Sequence, residues 1–220
     1  MTASGAYSGP LGLAAGAVLA CAVVTLWRRD LRAVVSVLAL QGIALGVTAG
    51  VLAAHSRDIG LGVTAVLVLA AKGLVIPALL RQVVRRDPGS RETSPMVNVP
   101  ASLIAAAVLI AVAYLASGKV TTLAPGTAAA LAPLGVATVL IGFFSLATRR
   151  KAVSAITGLL LVDNGVALAT FLLTAGLPLL VEFGASLDVL LVVVVLRVLA
   201  TTMRARFGPF DLDQLRELHD

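Results

Sequence analysis

Seven apolar stretches, at about 10–27, 33–54, 59–80, 101–116, 127–147, 152–176 and 184–203, follow one another through the 220 residues with little polar chain between them. Most are roughly 18–25 residues long, the length that carries a helix across a ~30 Å hydrocarbon core. In hydrocarbon every backbone N–H and C=O must find its partner within the segment, so such runs fold as helices. The expected fold class is therefore all-α, a polytopic transmembrane bundle of about seven spans. With 13% of residues charged and 59% hydrophobic, the chain has about half the charged share of a soluble domain. No room is left for a soluble domain of any size.

The connecting segments fix an orientation. Counting Lys and Arg after each successive span gives 3, 1, 4, 1, 3, 0 and 3, with none before the first. By the positive-inside rule, the N-terminus is expected outside and the C-terminus in the cytoplasm. That alternation needs an odd number of spans. Residues 1–80 then hold three spans, 81–100 a basic cytoplasmic loop, 101–203 four spans and 204–220 a cytoplasmic tail. The first run lacks a basic stretch before it and reads as a retained helix rather than a cleaved signal. The net charge of +6 is spread over these loops as topology determinants that favour anionic inner-leaflet lipid, not gathered into a nucleic-acid patch.

Redox chemistry within the chain is not expected. Cys21 is the single cysteine, and His55 and His219 lie far apart, in a short loop and in the tail. A cluster normally needs four thiolates and a c-type haem needs a C-x-x-C-H run. No cofactor or metal is expected, and the chain does not read as an enzyme by itself.

What demands explanation is the polar content of the spans: Gln41 in span two, Lys72 in span three, Asp163 and Asn164 in span six, and Asp188 and Arg197 in span seven, with Glu182 at its outer boundary. An unpaired charge at the bilayer centre costs about 2.5–3.5 kcal/mol on insertion scales. At about 1.5 Å per residue from the cytoplasmic helix ends, Arg197 lies about 9 Å deep, Lys72 and Gln41 about 12 Å, Asp163 about 16 Å and Asp188 about 22 Å. These groups form a staircase suited to a proton path. Arg197 is also close enough to the inner face to snorkel, and Glu182 can simply mark an interface. Lys72 and Asp163, at similar depths, are expected to face one protein-lined interior, either as a relay or as a static pair. Gly73 and Pro77 beyond Lys72 predict a kink that admits water or a neighbouring helix.

The segments LALQGIALG (38–46), AAKGLVIPALL (70–80), TRRKAVSAITGLLLVDNG (148–165) and LPLLVEFGASLDVLLVVVVLRVL (177–199), with the tail FGPFDLDQL, resemble hydrogenase-4 component E. That family comprises membrane subunits of hydrogenase complexes related to respiratory complex I, and is similar to the small K-type subunit of complex I. Gln41, Lys72, Asn164, Glu182 and Asp188 match its polar positions. The residue before Asn-Gly is usually glutamate there. Here Asp163 keeps the carboxylate but is one methylene shorter, reaching about 1.5 Å less. The resemblance implies an antiporter-like subunit, a membrane anchor subunit, and peripheral nickel–iron hydrogenase and iron–sulfur proteins as partners. On this view the chain couples their electron transfer to proton or sodium movement, or else only bridges them. A stand-alone small-solute transporter is a third reading, disfavoured because Lys72 has no counterpart beside Asp163 in the second half, as an inverted repeat would require.

Overall fold

The computed structural model describes residues 3–28, 30–85, 97–123, 126–149 and 152–174. Helix α1 runs Ala3–Trp27 and α2 Leu31–Ser56. The third helical rod is continuous but not uniform: α3 (Ile59–Val68), a π-helical segment (Leu69–Val75) and α4 (Ile76–Arg85). Helix α5 is Val99–Leu123, and a 3₁₀ turn at Ala129–Leu131 leads into α6 (Ala132–Thr148), followed by α7 (Ala152–Leu173). Among the described residues, six stretches are long and apolar enough to cross a membrane: Tyr7–Trp27, Leu31–Ser56, Ile59–Gln82, Val99–Gly118, Ala129–Thr148 and Ala155–Leu173. They coincide with the first six predicted spans. The seventh, at 184–203, lies outside the described residues.

Two differences from the expected boundaries have physical causes. The fourth helix is 25 residues long, not the predicted 101–116, because Ser117 to Thr122 are polar or small enough to end a hydropathy run without ending a helix. In the third, the predicted break at Pro77 takes the form of a widened turn. Proline offers no N–H to the carbonyl four residues earlier, and its ring crowds that carbonyl. That carbonyl belongs to Gly73. Widening the turn ahead of it relieves the clash, and Ile76 N–H donates to Ala71 O, five residues back. Wide turns of this kind recur at functional sites.

Several helix starts are capped by side chains. Asp30 accepts from Arg32 N at 3.0 Å, Asp58 from Gly60 N at 2.8 Å and Leu61 N at 3.2 Å, and Asn98 from Ala101 N at 3.0 Å. Each supplies an acceptor to the orphan donors of a helix start. Arg57 closes α2 in the left-handed conformation, φ 56°. That region costs an L-residue about 1–2 kcal/mol, while glycine there gives back part of the gain as unfolded-state entropy. Arg57→Gly is expected to raise stability by up to about 1 kcal/mol in detergent unfolding. A clear loss would mean that the arginine side chain contributes more than its strained backbone costs. At the other end of the bundle, Arg149 Nη2 donates to Thr25 O at 3.0 Å, so one basic loop residue also caps the C-terminal carbonyls of α1.

Helix α2 is the hub, packing on α1, α3, the π segment, α4 and α7, while α6 and α7 form a tight hairpin. In that hairpin Gly135 faces Ala169, Gly142 faces Val162, Gly158 faces Leu146 and Gly165 faces Val139, all so closely that a Cβ would collide. Small residues at such seams let helix backbones approach. Among the described residues, the core falls into two separate apolar clusters. One gathers Leu11, Val18, Leu45, Leu52, Leu61, Leu168 and Leu172 among others. The second gathers Leu26, Val35, Leu80, Ile141, Leu160 and Leu161 with their neighbours. Large apolar side chains such as Leu13, Val66, Leu74, Ile104 and Leu115 point outward, as expected of a surface that meets lipid.

Candidate functional site

The break between the two clusters is where the polar side chains lie. Residue by residue, it falls after Val18 on α1, between Leu38 and Ala44 on α2, between Val68 and Ile76 on the third rod, and between Leu161 and Leu168 on α7. Those intervals contain Gln41, Lys72, Asp163 and Asn164. All four come from different positions in the chain and meet in one layer.

Lys72 sits in the middle of the π segment, and its Nζ stands 2.5 Å from Asp163 Oδ2. The lysine side chain is 3% exposed and the aspartate 16%. Lys72 and Asp163 therefore do share one interior, 91 residues apart in sequence. Each also takes part in a further interaction. A hydrogen-bonded charge pair in a buried setting is stronger than its exposed equivalent.

The second contact is an amide string. Gln41, fully buried, donates from Nε2 to the Val18 carbonyl of α1 at 3.0 Å, and Asn164 donates from Nδ2 to Gln41 Oε1 at 2.9 Å. The directions follow from chemistry. A backbone carbonyl can only accept, which turns the NH₂ of Gln41 toward Val18 and its oxygen toward Asn164. Asn164 must then present its NH₂, leaving Oδ1, which is buried and meets no hydrogen-bond donor among the described residues.

Glycine beside Gln41, Lys72 and Asn164 lets helices approach closely, α2 and the third rod at the first two and α7 and α6 at the third. A Cβ on Gly42 would overlap the Lys72 carbonyl, and one on Gly73 would lie 3.1 Å from Ile43 Cγ1. Gly165, next to Asn164, lets α7 press on Val139 of α6. The pattern Gln-Gly, Lys-Gly and Asp-Asn-Gly was available in the sequence as a sign of close helix approach at these positions. The π segment and the Val18 carbonyl carried no such sign. Glu182, Asp188 and Arg197, the remaining predicted members, lie outside the described residues. Among the described residues no group of His, Cys, Asp or Glu could hold a metal ion.

Over 208 residues the chain is 44% identical to the "Uncharacterized protein Rv0085" of Mycobacterium tuberculosis, covering 94% of each. The chain belongs to the same family as that mycobacterial protein. No protein-family model and no solved structure matches it. The likeness spans both halves of the bundle, so the segments that bring Lys72 and Asp163 together both fall within the family's shared length or close to it.

Proposed function

We propose that the chain is a non-catalytic membrane-arm subunit of a complex I-like, group-four-type nickel–iron hydrogenase, coupling redox chemistry in its partners to proton or sodium translocation. On this reading it spans the cell membrane seven times, with the N-terminus outside and the C-terminus cytoplasmic. Its neighbours are an antiporter-like subunit and an anchor subunit, with peripheral hydrogenase and iron–sulfur proteins beyond. The observation that carries the proposal is the Lys72–Asp163 pair at 2.5 Å inside a helical bundle. Apolar residues of similar volume are often as stable or more so at such a place. Intramembrane ionisable pairs are characteristically found along ion pathways. The four motifs that resemble hydrogenase-4 component E supply the identity of the machine. Asp188, Glu182 and Arg197 extend the path on this reading, and Gln41 and Asn164 position Asp163.

The test has two parts. Mild-detergent extraction from native membranes, followed by mass spectrometry, is expected to bring down a nickel–iron hydrogenase subunit and an antiporter-like subunit; a chain that purifies alone overturns the reading. Asp163→Asn keeps shape and an acceptor for Lys72 but cannot ionise. It is expected to leave assembly intact and to cut ion movement per electron several-fold in reconstituted vesicles.

The short, closed pair also favours a second reading, a structural bridge between partner subunits in which the charges never part. In that case the same substitution lowers the amount of assembled complex and spares coupling per complex.

A further inference from the structure

The amide string ends in an atom that its own chemistry leaves unmet. Val18 O orients Gln41, Gln41 orients Asn164, and Oδ1 of Asn164 is the terminus, on a residue 4% exposed. Rotating the amide to expose its NH₂ instead would set two oxygens against each other at 2.9 Å, so the orientation is locked. A buried carbonyl without a donor is rare in folded proteins, and ordered water is the usual remedy.

Among the described residues no group donates to this oxygen. The hydroxyls of Thr48 on α2 and Thr138 on α6 donate into their own helices, to Ala44 O at 2.9 Å and Leu134 O at 2.8 Å. Helical N–H groups are committed to their own ladders. The Lys72 ammonium is engaged with Asp163, and successive residues of a helix diverge by about 100°, which directs Asp163 and Asn164 to different neighbours.

We propose that a single water molecule is bound at Asn164 Oδ1, buried in the polar layer between the two apolar clusters. One hydrogen meets the asparagine; its other hydrogen and lone pairs are free for helix carbonyls or for the neighbouring ion pair, since a carbonyl carries two lone pairs. Amides neither take up nor release protons at neutral pH, so such a water would join Lys72 and Asp163 as a proton-exchanging group among the described members of the layer. The inference is independent of the hydrogenase reading, because a static bridging subunit would hold the same water.

The sequence makes a direct test convenient: Asn98 and Asn164 are its two asparagines, and Asn98 is exposed. The full chain, labelled with ¹³C,¹⁵N-asparagine and held in lipid bilayers in its native assembly, is measured by water-edited solid-state NMR. Asn98→Asp, which keeps the acceptor that caps α5, assigns the two signals. Magnetisation from water is expected to reach both side chains, building up several-fold more slowly at Asn164 than at Asn98. Transfer to Asn98 alone overturns the proposal. So does an equally fast build-up at Asn164, which would place it in bulk water. A correlation from Asn164 Cγ to a lysine ammonium without water transfer also overturns it, assigning the acceptor to Lys72.

Discussion

Asp163→Leu is expected to destabilise the bundle by about 3–5 kcal/mol, and adding Lys72→Met to recover most of the loss. The single change removes both the charge and the hydrogen-bond acceptor 2.5 Å from a lysine whose side chain is 3% exposed. The ammonium must then be neutralised or rehydrated inside the bundle. The double change replaces both partners with apolar side chains between two existing apolar clusters, so neither member of the pair is left without the other. Unfolding of the two single variants and the double variant in detergent gives the coupling energy as a double-mutant cycle. A loss below about 1 kcal/mol for Asp163→Leu would mean that another group takes over the lysine.

The second large effect belongs to a residue without chemistry. Gly42→Ala is expected to cost about 1–3 kcal/mol, because its methyl would overlap backbone, the Lys72 carbonyl, and not a side chain that can swing away. The collision pushes α2 off the π segment and with it Gln41 from its partners, so on the proposed function ion movement falls along with stability. Gly50→Ala and Gly62→Ala are the controls: there a Cβ meets only Ala65 or Ala53 Cβ at 4.0 Å. In helix interiors those changes should be neutral or gain up to about 1 kcal/mol. Equal losses at all three positions would show a general intolerance of this bundle to alanine, with no special role for the Gly42 contact.

The spans were legible because their cause is local. Runs such as 33–54 and 59–80 leave a backbone in hydrocarbon no alternative to helix, and the observed Leu31–Ser56 and Ile59–Gln82 differ from them by a few residues. The meeting of Lys72 with Asp163 was also within reach, since a similar depth follows from counting residues inward from a basic end. The amide string was not. Depth puts Gln41 about 12 Å in, but whether it faces Asn164 or lipid depends on the rotation of α2, which is set by where Gly42 and Gly46 let it approach the third rod. The π segment was hidden for a related reason. Proline announces a break, but the choice between a kink and a wide turn depends on how the preceding carbonyls are re-paired. In the fourth helix, the residues from Ser117 to Thr122 ended the hydropathy run while the backbone stayed helical.

The glycine seam of the α6–α7 hairpin has a mechanical consequence. Backbones locked at four points, Gly135, Gly142, Gly158 and Gly165, make a stiff strut, and Asp163 and Asn164 are mounted on it. Lys72 is mounted on the opposite kind of element, a stretch of Leu69–Val75 whose turn is already wider than an α-helix allows. A load transmitted through the bundle is expected to be taken up on the lysine's side, where the turn is already widened. The carboxylate is the anvil of this pair, and the ammonium rides on the spring.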